Sequence, residues 1–298
     1  MSVREGQTFA GESRLALYGS FVKLPHTVFA LPFALVGATL ASYSHPAHPS
    51  QIAWIVLAFT SARFAAMGFN RIVDRDLDAR NPRTATREIP RGALTVAEAT
   101  SAVVLASALF CLAAFRLNPL CFALAPVALA WVFLYSYTKR FTRWSHVVLG
   151  MGLAIAPVGG YVALAGAWSR PWWLLAALAA GVTTWVAGFD ILYALQDVEF
   201  DRQQQLHSVP VAFGETGALG LARALHALTV LSLALVGIAA HAGRLYAAGV
   251  VVAAVLLFYE HSLVKRGDLS RLDAAFFTMN GVISITFFGF VLAERLTR

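Results

Sequence analysis

Apolar runs close to 20 residues long recur from one end of this chain to the other, with no polar domain between them. Each is long enough to cross a hydrocarbon core of about 30 Å as a helix rising about 1.5 Å per residue. In lipid, isolated segments of this length satisfy their backbone N–H and C=O groups by internal hydrogen bonding, which makes them helices. Composition agrees: 58% of the 298 residues are hydrophobic, 13% are charged and mean hydropathy is +0.66, whereas a soluble domain carries about a quarter charged residues. The fold class expected is therefore all-α, an integral membrane bundle forming one domain over residues 1–298. Residues 1–20 read as a cytoplasmic N-terminal segment; with Arg4, Glu5, Glu12 and Arg14 and no apolar core, they do not form a cleavable signal peptide.

Nine spans can be placed, approximately Phe21 to Ser42, Gln51 to Val73, Thr95 to Phe115, Pro119 to Ser136, Val147 to Gly166, Trp172 to Ala194, Ala218 to Ala240, Leu245 to Val264 and Ala274 to Ala293. Sixteen Lys and Arg residues then fall on the side of the N-terminus and five on the other. The positive-inside bias places the N-terminus and the loops after the even-numbered spans in the cytoplasm, with the C-terminus outside. The net charge of +7 is thereby explained by topology, and no nucleic acid is called for. Cys111 and Cys121 read as small apolar side chains without a role. Two cytoplasmic loops, Asp74 to Leu94 and Leu195 to Gly217, are long and polar, the usual sign of a functional loop in a compact bundle.

Both loops carry clustered carboxylates. Asn70, Asp74 and Asp78 lie at i, i+4 and i+8 and share a helical face, with Arg63 two turns earlier; Asp190, Asp197 and Asp201 lie at i, i+7 and i+11, again one face. Asp190 sits deep enough in an apolar run to require a cavity or a partner. Two sets of hard oxygen ligands on one membrane side suit Mg²⁺, which takes one or two carboxylates and completes its shell with water and phosphate oxygens. Arg83, Arg87, Arg91, Lys139 and Arg140 are candidates to neutralise a diphosphate. There is no GxxxxGK[ST] or strand-borne GxGxxG for a soluble nucleotide, so a lipid diphosphate is favoured. Against this stand plainer readings. One acidic cluster beside arginines is ordinarily a set of surface ion pairs; two in matched register on one side, one reaching into a span, shift the balance to function. Asp76, Glu88 and Glu199 read as solvated charges off the ligand faces, and Arg14, Lys23, Lys265 and Arg266 as topology anchors. The histidines, His146 and His26 among them, show no metal-ligand spacing, and His26 and Asn280 read as polar packing between helices.

Asn70-x3-Asp74-x3-Asp78, followed by Asn81-Pro82-Arg83-Thr84, Arg87 and Pro90, resembles the first signature of the UbiA superfamily of intramembrane prenyltransferases. Asp190-x6-Asp197-x3-Asp201 is similar to its second signature, and Tyr135 with Lys139 to its YxxxK element. The wording around Ala65 to Arg71 and Asp78 to Thr84 is most similar to 4-hydroxybenzoate polyprenyltransferases and the prenyltransferases of the futalosine route to menaquinone. This resemblance implies a nine-helix bundle around a central cavity, embedded in the inner (cytoplasmic) membrane. It also implies Mg²⁺-dependent transfer of a polyprenyl group to an aromatic acid, of 4-hydroxybenzoate or 1,4-dihydroxy-6-naphthoate type, for ubiquinone or menaquinone biosynthesis. On this reading Asn70, Asp74 and Asp78 hold one Mg²⁺ and Asp197 and Asp201 a second. Arg83, Arg87, Lys139 and Arg140 bind the diphosphate; Tyr135, Tyr193 and Phe69 offer π-faces to an allylic cation. Tyr135 and Lys139 join Asp190 as catalytic candidates, Asp190 as base or acceptor-orienting group; Arg63 and Tyr193 contact the acceptor. Arg63 and Asp190 pairing with each other is the plainer alternative. The rival function class is an ion-coupled transporter, which an intramembrane carboxylate also fits, and the third is a membrane scaffold.

Overall fold

A computed structural model describes residues 13–23, 25–264, 266–269, 271–272 and 278–298. The first twelve residues, the His26 side chain and the start of the last span lie outside that set. The described chain is all-helical. A short helix α1 (Arg14–Phe21) leads into α2 (Pro25–Ala41) and α3 (Pro49–Val73), followed by α4 (Arg75–Arg80), α5 (Val96–Leu117), α6 (Pro119–Thr138) and α7 (Ser145–Ala165). The order continues with α8 (Trp173–Tyr193), a 3₁₀ turn (Ala194–Asp197), α9 (Val198–Gln203), α10 (Val209–Ala239), α11 (Arg244–Leu263) and α12 (Asn280–Leu296). Among the described residues, seven helical stretches are long and apolar enough to cross a membrane, namely α3, α5, α6, α7, α8 with its continuation to Gln203, α10 and α11. Helices α2 and α12, at 17 residues each, stand where the first and last spans were expected.

The core runs along α8, the most enclosed helix, which packs between α7 and α10. Phe33, Trp185, Phe189, Tyr246 and Phe287 form an aromatic stack through its middle, with ring centroids of Phe33 and Trp185 4.7 Å apart and those of Trp185 and Phe189 5.2 Å apart. Between lipid-embedded helices there is little hydrophobic gain, so close backbone approach at small residues does the holding. A Cβ on Gly150 would overlap the Thr183 carbonyl oxygen, and one on Gly160 that of Ala34, which locks α7 to α8 and to α2. Outward-facing Val104, Val127, Val251 and Phe258 are exposed; they are the surface acyl chains cover.

The long polar loops are more structured than their composition predicts. The second is mostly helix: α9 fills its centre and α10 begins at Val209, nine residues before the expected span, with a kink at Gly214. There φ is 69° and ψ 176°, a conformation open to glycine and strained for any other residue. The first loop folds down as α4 and a run of turns that bury Asn81, Thr84, Glu88 and Leu94. Glu88 is thus not a solvated charge: it is 4% exposed with its carboxylate 3.8 Å from the equally buried Arg71. The turns return this stretch onto α3, a placement that helical-face arithmetic could not give.

Candidate active site

The two acidic loops meet at one end of the bundle. Helical hydrogen bonding carries across the small break at Asp74, with Asp74 N donating to Asn70 O at 2.9 Å and Asp78 N to Asp74 O at 2.7 Å, so the i, i+4, i+8 register survives. The Asn70 amide donates to Asp74 Oδ2 at 2.8 Å. On the other loop the 3₁₀ turn after α8 rotates the chain, and its three carboxylates turn to three different elements: Asp190 to α7, Asp197 to the first loop and Asp201 to the end of α6.

Each of four carboxylates is capped by its own cation. Arg140 Nη2 lies 2.9 Å from Asp74, Arg87 Nη1 2.6 Å from Asp78, Arg83 Nη2 2.7 Å from Asp197, and Lys139 Nζ 2.8 Å from Asp201. The Arg83 contact is bidentate, with Nε donating to Asp197 Oδ1 at 3.1 Å, while its Nη1 donates to the Tyr193 hydroxyl at 3.1 Å. Asn81 adds a donor to Asp197 at 3.2 Å, and Arg80 reaches Gln204 at 3.3 Å. The loops are therefore stitched together by Asn81, Arg83 and Arg80. Arg140 also donates to the carbonyls of Ser136 and Val73, clamping the end of α6 to that of α3.

The quartet is electrically balanced, and the carboxylates are poorly hydrated. Burial, with a further push from Asp78, raises the Asp74 carboxyl to about 6 against the opposing pull of Arg140 and Asn70. Asp78 Oδ2 is buried with no hydrogen-bond partner, an acceptor lone pair of the kind a cation completes. A hard-oxygen set with an unsatisfied buried acceptor fits Mg²⁺, although among the described residues no three His, Cys, Asp or Glu side chains are drawn together as a preformed metal cage.

The remaining candidates are placed as follows. Asp190 pairs with His146, whose Nδ1 lies 2.7 Å from Asp190 Oδ2. The Val209 backbone N–H donates to His146 Nε2 at 3.3 Å, so Nε2 carries the lone pair and Nδ1 the proton that is given to Asp190. His146, 2% exposed, had no spacing in the sequence to single it out; only a position facing a carboxylate one helix away marks it. Tyr135 is half-buried within electrostatic reach of Asp190, Asp74 and Arg87, between the two halves of the site. Arg63 is half-buried on α3. The Tyr193 ring lies beneath the Arg83 guanidinium, 5.4 Å from its centre. Phe133 of α6 stacks on one face of Phe69, with ring centroids 4.3 Å apart. Asp76 and Glu199 are exposed. Cys111 and Cys121 are free and half-buried.

Fold and site together define a polytopic membrane protein with two acidic loops facing each other across a ring of cations. The chain belongs to the UbiA prenyltransferase family, whose profile matches residues 30–282, and it is a prenyltransferase. It is 32% identical over 243 residues to a 4-hydroxybenzoate octaprenyltransferase of Edwardsiella ictaluri, with 80% of this chain and 83% of the relative covered. A second relative, the mitochondrial 4-hydroxybenzoate polyprenyltransferase of Schizosaccharomyces pombe, is 33% identical over 210 residues, covering 70% of this chain and 57% of that one. Among solved structures, a UbiA homolog from Aeropyrum pernix K1 in its apo form superposes with a TM-score of 0.83 at 31% identity, covering 90% of this chain and 98% of that one. A UbiA homolog from Archaeoglobus fulgidus bound to DMAPP and Mg²⁺ shares the fold, with a TM-score of 0.74 at 20% identity over 94% of this chain and 99% of that one.

Proposed function

We propose that this protein transfers a polyprenyl group from a polyprenyl diphosphate to the ring of a phenolic acid of the 4-hydroxybenzoate type, a step of ubiquinone biosynthesis. The observation that carries the reading is the balanced set of four carboxylates, each held by its own cation: Asp197 by Arg83 of the facing loop, Asp78 by Arg87 of its own loop, and Asp74 and Asp201 by Arg140 and Lys139 at the end of α6. A near-neutral site built this way takes an anionic diphosphate together with divalent cations at little electrostatic cost: the carboxylates turn to metal, and the freed guanidinium and ammonium groups turn to phosphate oxygens. The names of relatives near 32% identity supply the acceptor class. The Mg²⁺-bound neighbour is consistent with the metal.

In this reading Asn70, Asp74 and Asp78 hold one Mg²⁺ and Asp197 and Asp201 another, and when bound the metal supplies Lewis-acid stabilisation of the leaving diphosphate. The allylic carbon–oxygen bond breaks with its electron pair leaving on the diphosphate, where Arg83, Arg87, Lys139 and Arg140 meet the developing charge. Tyr135 and Tyr193 line the zone where the allylic cation forms and present π-faces to it. The ring carbon of the acceptor attacks, a carbon–carbon bond forms, and the ring proton leaves to a base. Asp190 is that base or the group that holds the acceptor hydroxyl, and its anion is kept in orientation by the Nδ1–H of His146. Arg63 takes the acceptor carboxylate. The bundle is read as nine spans forming a single domain over residues 1–298 of a bacterial inner membrane, with the site and the N-terminus cytoplasmic.

The test is to offer the purified protein 4-hydroxybenzoate and 1,4-dihydroxy-6-naphthoate together with several polyprenyl diphosphates, with and without Mg²⁺, and to weigh the products. A Mg²⁺-dependent prenylated hydroxybenzoate is expected. Prenylated naphthoate alone would replace the acceptor, and equal product without any divalent ion would overturn the metal assignment. A transporter would need a solute gradient and yield no prenylated product.

A further inference from the structure

A groove of about 480 Å³ opens between α10 and α11, floored by the buried Leu257 and His226. Its walls are apolar, with Val230, Leu257 and Phe258, and its upper end carries Arg223, His261 and Ser262. Among the described residues no carboxylate lines it, and Arg223, exposed on α10, makes no ion pair with an acid there. Arg223 stands nine residues beyond the Gly214 kink, roughly 13 Å along the helix. His261 is in the last turn of α11, and Gly267 N after that helix donates to Glu215 at the start of α10 at 2.7 Å. The polar end of the groove thus lies toward the same face of the bundle as the acidic loops. A permanently charged guanidinium directed at lipid in this leaflet is costly unless an anion meets it.

The histidines behind it are fixed by a chain of donors. The Trp185 carbonyl can only accept, so His226 Nε2 donates to it at 3.1 Å; His226 Nδ1 must then accept, and His261 Nε2 donates to it at 3.0 Å. This leaves His261 Nδ1 as a lone-pair acceptor, buried and without a partner. The groove therefore offers one exposed cationic donor, Arg223, at its head and an apolar trough below, with His261 Nδ1 enclosed behind it.

We propose that this groove binds one anionic phospholipid, with its phosphodiester on Arg223 and an acyl chain along Leu257 and Phe258. Basic pockets between spans near the membrane surface recognise such headgroups by these contacts. A prenyl diphosphate with its metal is disfavoured as the occupant, because no carboxylate among the described residues lines the groove to accompany that metal. The site is separate from the transfer reaction and does not depend on the acceptor assigned above.

Native mass spectrometry of the full chain, delipidated in mild detergent and titrated with phosphatidylglycerol or phosphatidylcholine, tests this. One phosphatidylglycerol is expected to be retained about tenfold more strongly than phosphatidylcholine, a preference abolished in Arg223→Ala and partly kept in Arg223→Lys. Equal retention of the two lipids by wild type, or an unchanged preference in Arg223→Ala, overturns the proposal. So does displacement of the lipid by a prenyl diphosphate with Mg²⁺, which would make the groove part of the donor path. Should Arg223→Ala fail to fold, the wild-type lipid comparison and Arg223→Lys still decide.

Discussion

Arg83 is the side chain whose loss should be felt differently with and without metal. It bridges the two loops, with two charge-assisted bonds to Asp197 at 2.7 and 3.1 Å and a third contact to Tyr193 at 3.1 Å. The partners are 20% and 11% exposed, so solvent repairs little of the damage when one is removed. Breaking a fully buried pair costs about 3–5 kcal/mol; the residual exposure and the remaining Asn81 donor to Asp197 bring Arg83→Ala to roughly 2–3 kcal/mol. In a detergent thermal-shift assay that is a loss of roughly 5 °C in Tm. The penalty comes from a carboxylate left uncompensated, so Mg²⁺ with inorganic pyrophosphate should recover much of it by occupying Asp197 in place of the guanidinium. Transfer, in contrast, should stay depressed by about a hundredfold at saturating metal, because the lost group also faces the leaving diphosphate. A Tm deficit of equal size with and without Mg²⁺-pyrophosphate would refute the idea that Arg83 and metal share Asp197. Arg83→Ala combined with Asp197→Ala should be milder than the two losses added, as a double-mutant cycle will show.

Other outcomes follow from the same geometry. His146→Ala should lower kcat for aromatic transfer about tenfold to a hundredfold, with little change in the KM for the prenyl diphosphate, and His146→Gln, which can still donate to Asp190, should recover part of it; equal damage to donor KM would argue for a merely structural histidine. The raised Asp74 carboxyl, at about 6, binds a proton more readily in the folded chain than unfolded, so its ionisation opposes folding above that pH. Its metal affinity should run the other way, falling by up to about tenfold per pH unit as pH drops through 6, measurable by Mn²⁺ titration, and Asp74→Asn should flatten that limb. Glu88→Gln should destabilise the chain by about 3 kcal/mol by removing the buried negative charge that faces Arg71, whereas Arg71→Met with Glu88→Leu should restore most of the loss on thermal denaturation. Gly150→Leu should prevent folded protein from accumulating in the membrane, since any side chain meets the Thr183 backbone; wild-type expression and activity would contradict the proposed α7–α8 contact.

How much of this was legible beforehand depends on the range over which each feature is set. Local chemistry was enough for the helical class, because a run of apolar residues in lipid has no other way to satisfy its backbone. It was also enough for Asn70, Asp74 and Asp78, which share a face through hydrogen bonds that close within four residues. Register failed on the second acidic stretch, where a 3₁₀ turn at Ala194–Asp197 changes the rotation per residue and sends Asp190, Asp197 and Asp201 to separate partners. It failed again at Glu88, because whether a loop charge is wet or buried depends on where the loop lands. His146 was invisible for the same reason: its partner lies 44 positions away, and nothing along α7 marks it. Helix formation, and the face that Asn70, Asp74 and Asp78 share, are properties of neighbouring residues and their solvent, and the sequence alone determines them. Which cation holds which carboxylate, and which imidazole holds Asp190, are properties of distances between helices, and only packing at glycines such as Gly150 and Gly160 sets those.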